Sequence, residues 1–338
     1  MHSNKTIGID LWSGQARGAG PNQRTRIANV QVGARRELGE LFIGAYDKFA
    51  DACREVDEPG LAIVAIDEIT GQAAGLVRLR ARIGRHVTAV VGRHDVCDLF
   101  LAGRDELALR HLAVIVEPVT SFAPGAPCTY RILDLRTTTG FVDERGRALR
   151  GVVCDGAAVL RCAGYAVFVL PLGDPTDWPA SGADAWACVP ERIYLDERAP
   201  IARGSWAVVP HAQQTHITRV PGPRDPRAAL VTNGDLAGTL ELQGPTRRVV
   251  LQIGEAALRD GILLGRYDRC DAGGVDDDTL SRVHALLIRI GDTLVVIDTA
   301  STCGTARVDE EPARVLELGG DTELVLGRET RLRWRWLA

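Results

Sequence analysis

Two stretches of this chain carry the same residues at the same intervals, and this repeat limits the fold more than any other feature. Gly92-Arg93 in the first stretch matches Gly265-Arg266 in the second. Four residues after each arginine stands a cysteine, Cys97 and Cys270, followed by Asp98 and Asp271. Eighteen residues after each arginine stands a histidine, His111 and His284, which opens an apolar run. Each stretch then reaches an aspartate and a Ser/Thr-rich turn with glycine: DLRTTTG from Asp134 and DTASTCG from Asp298. Ala74-Gly75 and Ala237-Gly238 read as marks of the first strand in each copy, and SFAPGAPC as an extra hairpin loop in the first. Agreement at one offset is cheap, whereas agreement at several offsets in order points to a tandem duplication.

The texture of both stretches is β. Short runs such as LAIVAID, VTAVVGR, HLAVIV and YAVFVL, then HALLIRI, TLVVID and TELVLG, recur every eight to twelve residues between turn residues. That spacing predicts antiparallel sandwiches. In TRLRWRW, Leu332, Trp334 and Trp336 alternate with arginines, as in a strand with one buried side. Ahead of the first stretch, Leu38, Leu41, Phe42, Ala45, Phe49 and Cys53 fall three or four apart, which predicts one amphipathic helix over 35–56. Its stripe reads as a docking face for the neighbouring domain, with a partner-binding helix as the alternative. The expected organisation is an extension over 1–60, sandwiches over 61–171 and 236–338, and a proline-rich connector over 172–235. Trp178, Trp186 and Trp206 imply that parts of the connector pack against a domain. Residues 1–33 are polar and glycine-rich, with little periodicity.

Charge and cysteine usage narrow the function classes. A net charge of −4 gives no general attraction to nucleic acid or to an anionic membrane, so neither is expected as a partner. Lys5 and Lys48 are the only lysines, the composition of a GC-rich bacterial genome. Locally, arginine also offers a planar fork that suits phosphate. The eight cysteines include no CxxC pair and no zinc spacing, and read as small, mostly buried thiols of a reducing cytoplasm. The start, MHSNKTIGIDLWSG, lacks the apolar core of a signal peptide, and no apolar run is long enough to span a bilayer. No metal or cofactor is expected.

The second stretch resembles the forkhead-associated (FHA) family. The resemblance rests on Gly265-Arg266, Ser281-Arg282-Val283-His284, Ser301-Thr302-Cys303-Gly304-Thr305, Gly320-Asp321 and Gly327. It implies an eleven-stranded sandwich whose loops, at one end, hold phosphothreonine of a partner protein. Under it Arg266, Ser281, Arg282, Thr302 and Cys303 face the phosphopeptide, while His284, Gly265 and Gly304 brace the loops. A phosphate dianion needs several converging donors, and an arginine fork plus a hydroxyl supply them. Cys303 stands where the family has asparagine, and a thiol replaces neither half of an amide's bonding.

The first stretch fits the same frame more loosely. Arg93 and His111 remain, Ala108 replaces the serine, and Thr139 stands at the asparagine position. Arg110 is a candidate to compensate with a second positive charge. Two functions fit. The first is a non-catalytic signalling adaptor that reads threonine-phosphorylated protein, downstream of a Ser/Thr kinase. The second is a phospho-independent subunit of a larger bacterial assembly. An enzyme is not expected. Ser281, His284 and Asp298 lack the glycine pattern of a nucleophile elbow. The run Asp276-Asp277-Asp278 lacks the ligand spacing of a calcium loop and reads as a solvated loop.

Overall fold

The computed structural model describes residues 36–123, 128–189, 236–267, 269–273 and 275–337. The glycine-rich start, Trp206 and most of the connector lie outside the described residues.

The N-terminal block contains β1 (Gly60–Asp67), β2 (Ala73–Arg80), β3 (Val87–Gly92), β4 (Leu99–Phe100), β5 (Leu112–Val116), β6 (Tyr130–Asp134), β7 (Phe141–Val142), β8 (Ala148–Leu149), β9 (Gly151–Cys154), β10 (Ala158–Cys162) and β11 (Tyr165–Leu172). They form one sheet in the order β2-β1-β11-β10-β7-β8 and another in the order β4-β3-β5-β6-β9. The C-terminal block contains β12 (Leu236–Gln243), β13 (Arg248–Gly254), β14 (Ile262–Leu264), β15 (Ala285–Ile290), β16 (Thr293–Asp298), β17 (Thr305–Arg307), β18 (Val315–Leu318), β19 (Thr322–Leu326) and β20 (Thr330–Trp336). Its sheets run β13-β12-β20-β19-β17 and β14-β15-β16-β18. The described chain is thus mainly β, in antiparallel sandwiches with helical segments ahead of them.

Strand alternation builds the layers. In β1, Leu61, Ile63 and Ala65 point into the first sandwich, while Ala62, Val64 and Ile66 point out beneath the helices. In β5, Leu112, Val114 and Val116 face the same sandwich core, and Ala113 and Ile115 face away. They meet Leu286 and Ile288 of β15 and Val295 and Ile297 of β16, the outward residues of the second sandwich. The two blocks are therefore joined sheet to sheet by a third apolar layer. This is why runs such as LAVIV and LVVI are continuous rather than alternating: both faces of the sheets are covered. At roughly 2 kcal/mol per buried aliphatic side chain, this layer outweighs the ion pairs that cross it.

Those ion pairs are paired themselves. Asp98 accepts the Val90 amide at 2.8 Å and meets Arg314 of the other block at 3.3 Å. Asp271 accepts the Leu263 amide at 2.8 Å and meets Arg136 of the other block at 2.7 Å. Burial pushes the Asp271 carboxyl up, and the Arg136 guanidinium opposes that shift.

Three expectations are corrected. The helix expected over 35–56 is instead α1 (Leu38–Ala45), a 3-10 turn (Tyr46–Lys48) and α2 (Ala50–Arg54). Its apolar face survives on the first sandwich. Tertiary bonds override the helical period: the Tyr46 hydroxyl donates to Pro179 O at 2.7 Å, and Arg54 Nε donates to Trp178 O at 3.0 Å. Second, Gly75 lies in β2 and Gly238 in β12, so they are not equivalent; β1, like β12, pairs with the last strand of its block. Third, the acidic run is solvated only in part: Asp276 and Asp278 are exposed, but the middle carboxylate is not. Asp277 is buried and accepts from the Thr279 amide, the Thr279 hydroxyl and the Thr330 hydroxyl at 2.6–2.8 Å.

The connector's described part folds onto the first block. After a 3-10 turn (Pro175–Asp177), α3 (Gly182–Cys188) packs on α1, and Trp178 and Trp186 join the cluster of Phe42, Tyr46 and Phe49. Between β13 and β14 a further helix, α4 (Glu255–Asp260), appears where the sequence pattern suggested only strands.

Candidate functional site: two loops at one end of the C-terminal sandwich

The two ends of the β14–β15 loop and the turn after β16 meet through hydrogen bonds. The Arg266 amide donates to Ser281 O at 3.2 Å, and the Thr302 amide donates to Ser281 Oγ at 3.1 Å. Gly265 allows the first contact, because a Cβ there would lie 2.4 Å from Arg282 O. His284 locks the cluster from below. Its Nδ1 accepts the Ser281 amide at 3.0 Å, and its Nε2 donates to Gly304 O at 3.0 Å. The ring is fully buried, and that burial holds its pKa below the usual imidazole value against the pull of nearby Asp298. The Ser301 turn hangs on Asp298. The carboxylate accepts from the Ser301 amide at 2.7 Å, the Ser301 hydroxyl at 2.5 Å and the Thr305 hydroxyl at 2.8 Å.

Above this base the side chains differ in freedom. Ser281 is buried, while Arg266, Arg282 and Thr302 are exposed and Cys303 is half-buried. Among the described residues the Arg266 guanidinium has one partner, the fully exposed Asp278 carboxylate at 3.4 Å. An exposed pair of that length contributes little and yields readily to a better anion. Tyr267 is exposed beside it, with the Arg269 guanidinium stacked 5.5 Å from its ring centre. The arrangement can present an arginine fork, a hydroxyl and a turn of backbone amides to one anion.

The corresponding place in the N-terminal block repeats the frame. The Arg93 amide donates to Ala108 O at 3.0 Å, the Ala108 amide to His111 Nδ1 at 3.1 Å, and His111 Nε2 to Gly140 O at 2.9 Å. Burial lowers the pKa of His111 as it does that of His284. Cys97 and Cys270 each donate to a carbonyl 3.2 Å away, Leu109 O and Arg282 O. Arg136 and Ala300, both two residues past their aspartates, share a left-handed backbone with φ of 56° and 61°. Above the frame the copies diverge. Ala108 offers no hydroxyl, Thr139 is exposed, and Arg93 turns its Nε onto Leu107 O at 3.1 Å.

One sequence reading fails here. Arg110 does not add charge above the first block's loops: it is buried and donates to Thr299 O and Ala300 O of the other block. Ser281, His284 and Asp298 are near one another but do not assemble as a triad. Both histidine nitrogens are engaged by backbone, and the imidazole lies 3.9 Å from Asp298. The contacts of Arg110, Arg136, Arg269 and Arg314 across the interface were not anticipated. The two-sided apolar runs were the signal that a second surface existed; nothing local to the arginines marked which of them cross it.

No protein-family model matches the chain, and no curated protein does. Solved forkhead-associated domains match about 30% of it. The FHA domain of CT664 from Chlamydia trachomatis is 17% identical over 30% of this chain and 99% of that one, with a TM-score of 0.27. The FHA-1 domain of Rv1747 from Mycobacterium tuberculosis is 17% identical over 30% of this chain and 99% of that one, with a TM-score of 0.25. The yeast Dun1 FHA domain, solved with a doubly phosphorylated peptide, is 17% identical over 34% of this chain and 82% of that one, with a TM-score of 0.25.

Proposed function

We propose that this chain is a non-catalytic protein-interaction adaptor whose C-terminal block binds a threonine-phosphorylated segment of a protein partner, a Ser/Thr kinase or its substrate. The observation that supports this reading most is the linked trio Arg266, Ser281 and Thr302. Backbone and side-chain bonds bring together the two ends of the β14–β15 loop and the turn after β16. Ser281 Oγ accepts from the Thr302 amide and keeps its own proton for a ligand. Arg266 exchanges Asp278 for the phosphate, which carries about −1.5 to −2 charge at neutral pH and forms the stronger charge-assisted pair. Arg282 adds a second charge from the same loop. Cys303 leaves the partner's backbone less firmly held than an asparagine amide would, so modest affinity is expected. Under this reading the N-terminal block, with Ala108 and Thr139, does not bind phosphothreonine itself.

A pull-down of a degenerate phosphothreonine peptide library with the full chain tests the reading. Enrichment of phosphorylated over unphosphorylated sequences, lost in Arg266→Ala, is expected. Equal recovery of both would overturn it and leave the joined sandwiches as an assembly scaffold.

A further inference from the structure

The turn before Gly140 and the turn before Gly304 have the same shape but are held differently. In the N-terminal block the hold is internal: Arg150 Nη1 bonds the Asp134 carboxylate and donates to Thr137 O at 2.6 Å. In the C-terminal block the equivalent arginine, Arg314, is drawn away. It stands 3.3 Å from Asp298 O and 3.6 Å from the Asp298 carboxylate, and its other nitrogen goes to Asp98 of the first block. The missing hold comes from outside. Arg110 Nε donates to Thr299 O at 2.7 Å and to Ala300 O at 3.0 Å, and Nη2 donates to Ala300 O at 2.5 Å.

The choice of residue is informative. Arg110 takes the position that Val283 holds in the other block, one before the histidine. A valine fills that place without burying a charge. Arg110 is only 4% exposed, and among the described residues its side chain bonds backbone carbonyls rather than a carboxylate. A buried guanidinium is costly unless its donors meet strong acceptors. Here the acceptors are the two carbonyls just ahead of Ser301-Thr302, and one belongs to Ala300 in its left-handed conformation. The clamp also reaches a second recognition loop, since Arg269, stacked on Tyr267, donates to Arg110 O at 3.3 Å.

We propose that Arg110 of the N-terminal block is a positioning residue that sets the recognition turn of the C-terminal block, making the degenerate copy a working part of the other copy's binding site. The functional half of this inference rests on the phosphothreonine reading; the structural half stands on the interface alone. It is tested in the full chain with Arg110→Met, which keeps the side chain's bulk, and Arg110→Lys, which keeps charge and one donor. Hydrogen–deuterium exchange of the 299–305 segment reads the turn, and calorimetric titration with a phosphothreonine peptide reads binding.

Arg110→Met is expected to speed exchange in that segment at least tenfold and to weaken binding about tenfold, as for a lost charged hydrogen bond. Arg110→Lys is expected to fall between Met and wild type in both. A folded Arg110→Met chain with wild-type exchange across 299–305 would overturn the proposal. Should Met prevent folding, wild-type exchange and affinity in Arg110→Lys would overturn it instead. If wild type shows no preference for the phosphorylated peptide, the phosphothreonine reading fails, and exchange alone decides the role of Arg110.

Discussion

In the N-terminal block Ala108 stands where the C-terminal block has Ser281, and the two amides donate to the same nitrogen of their histidines at 3.1 and 3.0 Å. Below that level the copies agree, from the Gly-Arg contact to the aspartate that carries the Ser/Thr turn. Above it they part: Arg93 is tied to Leu107 O, whereas among the described residues the Arg266 guanidinium meets only Asp278 at the surface. The comparison separates what both sandwiches keep from what only the C-terminal one has. The bracing histidines belong to the first set, because each satisfies two backbone groups of turns that would otherwise be left unpaired. The serine belongs to the second. A copy can drop it and keep its shape, and can then support its neighbour through Arg110.

The largest effect is expected at the joint. Ile115 and Ile288 lie fully buried in the layer between the blocks, and either isoleucine replaced by aspartate costs about 4 kcal/mol through an unpaired buried charge. Chemical denaturation measures this, and losses below about 1 kcal/mol, the usual surface value, would show that the blocks do not pack as described. The same layer bears on fragments. An isolated 236–338 piece exposes Leu286, Ile288, Val295 and Ile297, and light scattering should find it self-associated.

The histidines come next. His111→Ala and His284→Ala are each expected to cost about 3 kcal/mol, from two orphaned backbone groups and the space left behind. Comparable losses sharpen the equivalence of the two frames. A loss at one position only would break it.

The frame itself was legible in the sequence because its residues have few substitutes. Only glycine permits the close contact at positions 92 and 265, where a Cβ would lie 2.3 and 2.4 Å from a carbonyl oxygen. Only a side chain that both accepts and donates, such as histidine, joins the two turns. The false match of Gly75 to Gly238 came from a residue type common in any β protein. Arg110 was misread for a different reason. From sequence an arginine beside a phosphate-type loop suggests a ligand contact, while its true partners, Thr299 O and Ala300 O, lie about 190 residues further along and belong to backbone. The split of the helix near Tyr46 was hidden likewise, since the Pro179 carbonyl that draws the tyrosine hydroxyl leaves no mark on the local pattern.

A smaller effect follows from the lowered histidine values. Burial makes both rings harder to protonate when folded, whereas they protonate freely near pH 6.5 once unfolded. The unfolded chain therefore binds more protons below that pH. The contribution is fully present well above about pH 6.5 and is lost progressively in the window below it, with a slope of at most about 1.4 kcal/mol per pH unit for each ring. Denaturation midpoints across that window should fall, and His111→Ala should flatten the dependence. A flat profile in wild type would contradict neutral burial of both rings. Smaller still is Cys303→Asn, which restores an amide beside the partner's backbone. It is expected to tighten phosphopeptide binding about tenfold by calorimetry, and unchanged affinity would remove Cys303 from the contact surface.

One titration tests the division of labour between the copies most directly. A phosphothreonine peptide selected on the full chain is titrated into wild type, Arg266→Ala and Arg93→Ala, with its unphosphorylated twin as the reference. The account predicts binding of the phosphorylated form only, its loss by at least a hundredfold in Arg266→Ala as a charge-assisted pair is removed, and wild-type affinity in Arg93→Ala. Equal loss in the two variants, or loss in Arg93→Ala alone, would contradict it.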